Sequence, residues 1–105
     1  DAELELNTAR RELLYQQQKI PLTNKEFLLL KLLMSNPGRI LSYQEICEQA
    51  WEEEGFCRHN LVEVYILKLR EKLKFKKPSL IETVPGKGYR WRPKNSEKAN
   101  HYSFC

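Results

Sequence analysis

The sequence predicts a small α+β domain: a short antiparallel sheet first, then three helices, then a closing β-hairpin. Three observations predict it. Apolar and polar residues alternate near the start, in Leu4–Leu6 and Leu13–Tyr15. Two S/T-x-x-E signatures, Thr23–Glu26 and Ser42–Glu45, each open an apolar run of helical period. Two strand-like runs flank Pro85–Gly86–Lys87–Gly88 near the end. A chain of 105 residues holds one domain and no second core. Hydrophobic residues make up 41% and charged residues 30%, the balance of a globular chain and not of a disordered one.

The elements follow in order. Leu4–Leu6, Glu12–Gln16 and Lys19–Leu22 read as strands, with Asn7–Arg11 and Gln17–Gln18 as turns. Thr23 and Glu26 form a capping box that starts the first helix. Phe27, Leu29, Leu30, Leu33 and Met34 give it a wide apolar face, and Asn36–Pro37–Gly38 stops it. After the extended link Arg39–Leu41, Ser42 and Glu45 start a second helix burying Ile46, Cys47, Ala50 and Trp51. Residues 52–59 are a loop, acidic and then basic.

The third helix, Asn60–Lys77, organises the rest. Val62, Ile66, Leu69 and Leu73 recur at steps of four, three and four, one stripe of an α-helix. The opposite side carries Asn60, Val64, Leu67, Lys68 and Glu71. Pro78 ends the run, because it lacks an N–H and restricts the residue before it. Leu80–Val84 and Tyr89–Trp91 are then strands joined by a tight tip that pushes Lys87 into solvent. Residues 1–92 form the expected domain. Residues 93–105, polar and without periodicity, are an expected flexible tail.

Charge is unevenly placed. Net charge is +4, but residues 1–56 set six Lys/Arg against ten Asp/Glu, giving −4. Residues 57–92 set ten against Glu63, Glu71 and Glu82, giving +7, the footprint of a domain that meets a polyanion. Lys72, Lys74, Lys76 and Lys77 are expected to add diffuse attraction, not specific contacts.

Other classes fit less well. The longest apolar block, Phe27–Met34, is interrupted by Lys31 and too short to span a bilayer. The acidic, alternating start is unlike a leader peptide, and a chain opening on Asp1 is expected to be processed or excised from a longer one. Cys47, Cys57 and Cys105 are odd in number and form no C-x-x-C pair. Neither a disulfide nor a zinc site is expected, and free thiols imply a reducing, cytoplasmic setting. A redox role for Cys57 would rest only on its neighbours Arg58 and His59. No enzyme, metal or cofactor is expected: His59 and His101 lack partners at ligand or triad spacing, and G-K-G is too short to cradle a phosphate.

Two capped helices, a longer basic-tailed one and a hairpin make a winged helix-turn-helix, whose third helix is as wide as a DNA major groove. Over Leu4 to Trp91 the chain resembles the C-terminal effector domains of OmpR/PhoB-type response regulators. The landmarks are L-T-N-K-E-F-L-L-L (Leu22–Leu30), N-P-G-R-I-L-S (Asn36–Ser42), V-E-V-Y-I-L-K-L-R-E-K-L (Val62–Leu73) and I-E-T-V-P-G-K-G-Y-R-W (Ile81–Trp91). The resemblance implies a four-stranded N-terminal sheet and a two-component transcription regulator that binds duplex DNA, usually as two copies on direct repeats. It also implies an N-terminal receiver domain phosphorylated on aspartate, and a Trp51–Asn60 loop that can meet RNA polymerase.

Carried over by position, Asn60, Leu61, Val64, Tyr65, Leu67, Lys68 and Arg70 would be recognition-helix contacts. Thr83, Lys87 and Tyr89 would be hairpin contacts to phosphate or minor groove. Where the family commonly has Arg near Asn60 and Leu67, Thr at Leu61 and Arg at Pro85, this chain has lost a charge or hydroxyl. Val64 and Leu67 can pack on thymine methyls, and Lys68 is the leading candidate for a base contact. Arg70 reads either as a phosphate clamp or as the partner of an acidic helix. The same Val64/Leu67 surface would also suit a protein-interaction module, the alternative to DNA binding.

Overall fold

The computed structural model describes residues 4–51, 59–74, 79–92 and 103–104; for His59, Ser103 and Phe104 only the backbone is described. Strands β1 (Leu4–Asn7), β2 (Glu12–Tyr15) and β3 (Gln18–Pro21) pair antiparallel, with Leu6 opposite Leu13 and Leu13 opposite Ile20. Because side chains alternate across a strand, this register sends Leu4, Leu6 and Leu13 to one face, where all three are buried.

The β1–β2 loop is held by the Asn7 side chain, whose Oδ1 accepts from the Arg10 N–H at 2.9 Å. The β2–β3 turn is tighter. Tyr15 pairs with Gln18, and Gln16 and Gln17 between them take φ of 51° and 68°. Two positive φ values in a two-residue loop define a type I′ turn, which matches the twist of the strands but favours Asn-Gly. A side chain held there costs about 1 kcal/mol. The double substitution Gln16→Asn/Gln17→Gly is therefore expected to stabilise the domain by about 1 kcal/mol, measured by urea unfolding. An unchanged or lower midpoint would refute the turn assignment.

Helix α1 (Asn24–Ser35) begins with the expected capping box. Thr23 Oγ1 accepts from the Glu26 N–H at 3.2 Å, and Glu26 Oε1 accepts from the Thr23 N–H at 2.9 Å. It ends where Asn36 Nδ2 donates to the Leu32 carbonyl at 2.8 Å and Gly38 takes a φ of 81°. Helix α2 (Tyr43–Ala50) repeats the device with Ser42 and Glu45, at 3.0 and 3.1 Å.

Helix α3 runs from His59 to Lys72. Its stripe of Val62, Ile66 and Leu69, continued by Leu73, is buried as the spacing predicts. The helix ends before the expected Lys77. The Leu73 N–H is shared between the carbonyls of Leu69 (2.9 Å) and Arg70 (3.2 Å), a tightening common at helix ends. Pro78 thus does not set this end, and residues 75–78 lie outside the described residues.

The wing is β4 (Ile81–Val84) and β5 (Gly88–Trp91), with Thr83 opposite Tyr89 and Glu82 opposite Arg90. The Lys87 N–H donates to the Val84 carbonyl at 2.9 Å, and Gly86 sits at φ 75° after Pro85. That is a type II turn with its preferred Pro and Gly. The link after α1 is more than a connection. Leu41 and Tyr89 exchange backbone hydrogen bonds of 2.8 and 3.0 Å, and the Gly38 N–H donates to the Trp91 carbonyl at 3.0 Å. The wing is thereby fixed to the chain between α1 and α2. One core joins all parts: Leu29, Leu30 and Leu33 of α1, Ile46 of α2, Ile66 and Leu69 of α3, and Ile81 and Trp91 of the wing.

Two expectations need correction. The sheet of β1–β3 gains a fourth strand, β6 (Ser103–Phe104), which pairs parallel with β1 to give the order β3-β2-β1-β6. The implied four strands are present, but the fourth comes from the far end of the chain. A two-residue strand is too short to leave an alternation in sequence. Residues 93–102 and Cys105, the rest of the expected tail, lie outside the described residues.

Cys47 is buried and disulfide-bonded, against the expectation of free thiols; its partner lies outside the described residues. A bridge requires Cβ atoms within about 4 Å, a condition that spacing along the chain does not reveal. The inference from free thiols to a reducing compartment falls with it.

Candidate nucleic-acid interface

Burying Val62, Ile66 and Leu69 leaves α3 presenting Asn60, Glu63, Val64, Leu67, Lys68 and Glu71 to solvent. Val64 is 45% and Leu67 64% exposed, and they are the large hydrophobic residues left exposed among the described residues. Leu61 and Tyr65 lie half-buried on one flank. The Tyr65 ring packs edge-on against Trp51 at 5.5 Å, and Lys68 Nζ lies 5.9 Å from the Tyr65 centroid. Tyr65 therefore serves first as a rigid support for the lysine beside it.

Arg70 occupies the other flank, half-buried, and its contacts are with the wing. It makes no ion pair with an acidic helix. Its Nη2 donates to the Ile81 carbonyl and to Thr83 Oγ1, both at 2.8 Å, and its Nε donates to the same carbonyl at 3.2 Å. The guanidinium also lies 5.9 Å from the centroid of Tyr89. Arg70 thus fastens the wing to α3, through a planar fork that a lysine could not reproduce. Thr83 is exposed, and having accepted from Arg70 it still has its own O–H to donate outward.

Tyr89 is the expected contact that the fold places worst. It is only 5% exposed and packs edge-on against Tyr43 at 5.6 Å. Burial, then the hydrogen bond and charge of Tyr43, then the charge of Glu63 push its phenol up to about 12, with Arg70 acting in the other direction. The ring is a neutral floor between α3 and the wing.

The positive charge also sorts itself. Lys72 Nζ is 2.6 Å from Glu26 Oε1 and 2.8 Å from the Pro21 carbonyl, so it clamps α3 to the start of α1. That is a specific structural role in place of the diffuse one expected. Lys74 pairs with Glu71 at 2.9 Å, and Arg90 and Arg92 share Glu82 at 2.7 and 3.0 Å. Arg58, Lys76 and Lys77 lie outside the described residues. Among the described cations of this region, Arg70, Lys68 and Lys87 keep no carboxylate partner; Arg70 is bound to the wing, and the other two lie on α3 and at the exposed wing tip.

Sequence reasoning missed the struts behind this surface. The Glu82–Arg90 pair was legible, because a turn centred on Gly86 sets residue 82 opposite residue 90. The Arg70–Thr83 contact had no such signal, since it joins two elements whose relative placement only packing decides.

A capped helix pair, a third helix with an exposed face and a hairpin wing bound to that helix define a winged helix-turn-helix domain of the transcription-regulator class. The family model described as "Transcriptional regulatory protein, C terminal" matches residues 17–91, and the chain belongs to that family, the OmpR/PhoB-type effector domains. It is 38% identical over 89 residues to the transcriptional regulatory protein CutR of Streptomyces coelicolor, covering 85% of this chain and 40% of CutR. It is 40% identical over 91 residues to TrcR of Mycobacterium tuberculosis, covering 87% of this chain and 35% of TrcR. The chain thus spans well under half the length of these relatives. Among solved structures, the DNA-binding domain of CpxR from E. coli superposes with a TM-score of 0.75 at 28% identity, covering 87% of this chain and 91% of that one. The family is not a class of enzymes.

Proposed function

We propose that this domain binds duplex DNA sequence-specifically as the effector part of a two-component response regulator, with α3 in the major groove and the wing on the backbone. One observation carries the reading: α3 and the wing that Arg70 fastens to it each present an exposed lysine, Lys68 and Lys87, without a carboxylate partner. Lys68 reads a base edge, and Asn60 and Leu61 enter the groove beside it. Lys87 and the Thr83 hydroxyl meet phosphate, while Arg70 and Tyr89 hold the wing at its angle.

The remaining parts follow from this role. Two copies bind direct repeats, and an N-terminal receiver domain in the longer protein controls them. The Trp51–Asn60 loop, mostly outside the described residues, is the surface for RNA polymerase. A regulator of this kind works where the chromosome is, in the bacterial cytoplasm. No helix among the described residues is long and apolar enough to cross a membrane.

The test is anisotropy titration of labelled mixed-sequence duplex across salt concentrations. Each phosphate contact contributes about −0.9 to the slope of log K against log salt, so Lys87→Ala should flatten that slope by about 1. An unchanged slope would remove Lys87 from the DNA backbone. No binding even at low salt would favour a protein-interaction module, the use that the exposure of Leu67 would then have.

A further inference from the structure

Val64 and Leu67 are out of place on a surface that meets only phosphates. They lie one turn apart on α3, about 60° from one another around its axis and about 4.5 Å along it. Base pairs in a duplex follow one another at about 3.4 Å, so two side chains so placed face neighbouring base pairs. The one apolar group that a base pair offers in the major groove is the C5-methyl of thymine.

We propose that Val64 and Leu67 form an apolar pair that reads thymine methyl groups, so that the operator of this protein carries thymines at the base pairs they face. The inference rests on the DNA-binding reading above and deepens it.

Three features of the structure favour thymine over a protein occupant. Lys68 directly follows Leu67 and keeps no carboxylate partner, so the patch is bordered by a group that a polyanion would satisfy. Glu71, the next exposed residue one turn on, is paired with Lys74 at 2.9 Å, which weakens its repulsion of nearby phosphates. And two side chains cannot supply the roughly 800 Å² per partner of a standard protein interface, whereas one methyl needs only a small apolar contact.

The experiment begins by selecting duplexes from a randomised pool with this chain. Each dT of the selected site is then replaced singly by deoxyuridine, which removes the methyl and leaves every hydrogen-bonding group in place. Wild type is expected to lose about fourfold in affinity at one or two positions, the value of one buried methyl. Leu67→Ala and Val64→Ala, both surface changes, should each bind the dT and deoxyuridine duplexes equally at the position that the removed side chain faces. Lys68→Ala should weaken both duplexes alike and keep their ratio. Wild-type affinity unchanged by deoxyuridine at every position, with binding to the selected site intact, would overturn the thymine-methyl reading alone. Failure to select or bind any duplex at low salt would overturn the DNA-binding reading as well.

Discussion

Replacing Gly88 by alanine is expected to destabilise the domain by about 3 kcal/mol or more, a loss on the order of 15 °C in Tm. Gly88 opens β5 at a φ of 148°, where residues with a side chain rarely sit. A Cβ built there would overlap the Leu41 carbonyl oxygen and come within 2.9 Å of Ser42 Cα. Both obstacles are backbone, so no rotamer change relieves them. The chain must part at the contact where Leu41 and Tyr89 exchange hydrogen bonds, and the wing loses its anchor to the α1–α2 link. Gly86 supplies the control. It also has a positive φ, of 75°, but open space lies around it, so Gly86→Ala should cost only about 1 kcal/mol. Thermal melts of the two variants should therefore differ widely. Equal melting temperatures would mean that conformation, and not close approach, sets the need for glycine at both.

Glu26 is the second position of large effect. It is 3% exposed, yet its carboxylate closes the α1 capping box and meets Lys72 at 2.6 Å. Burial alone would raise its pKa; the hydrogen bond and charge of Lys72, with the Thr23 N–H and hydroxyl, more than offset this and hold it below the ordinary 4.5. Glu26→Ala removes the cap and leaves a partly buried ammonium without its partner, for an expected loss of about 3 kcal/mol. The pH dependence has a definite sign. The folded state binds the Glu26 proton less tightly than the unfolded state does. Its contribution is therefore complete above 4.5 and lost as pH falls through the lower folded value. In Glu26→Gln this part of the acid dependence should vanish, so the difference in stability from wild type should narrow as pH drops below 4.5. Urea midpoints between pH 6 and pH 3 measure it. A constant difference across that range would mean that the pair does not set the carboxylate's ionisation.

What the sequence determined is whatever repeats locally. Both capping boxes, the buried stripe of α3 and the Pro-Gly turn of the wing were legible, because each depends on residues within a few positions of one another. The same periodicity picked out Asn60, Val64, Leu67 and Lys68 as one exposed face, since a helix that buries one side must show the other. Lys87 was legible too, from the turn that carries it.

Tertiary structure decided the roles of the charged and aromatic residues, because an ion pair or a buried ring depends on what lies across a gap in space. Lys72 meets Glu26, 46 positions away, and so is withdrawn from the basic surface that its neighbours in sequence suggested. Arg70 turns inward to the wing, Tyr89 is buried against Tyr43, and Cys47 is bridged. β6 reaches β1 across nearly the whole chain. Composition alone set +7 on residues 57–92. Packing neutralised much of that charge and tied Arg70 to the wing; among the described cations of this stretch, Lys68 and Lys87 are left with neither a carboxylate partner nor a bond to the wing, on the two elements that the fold sets side by side.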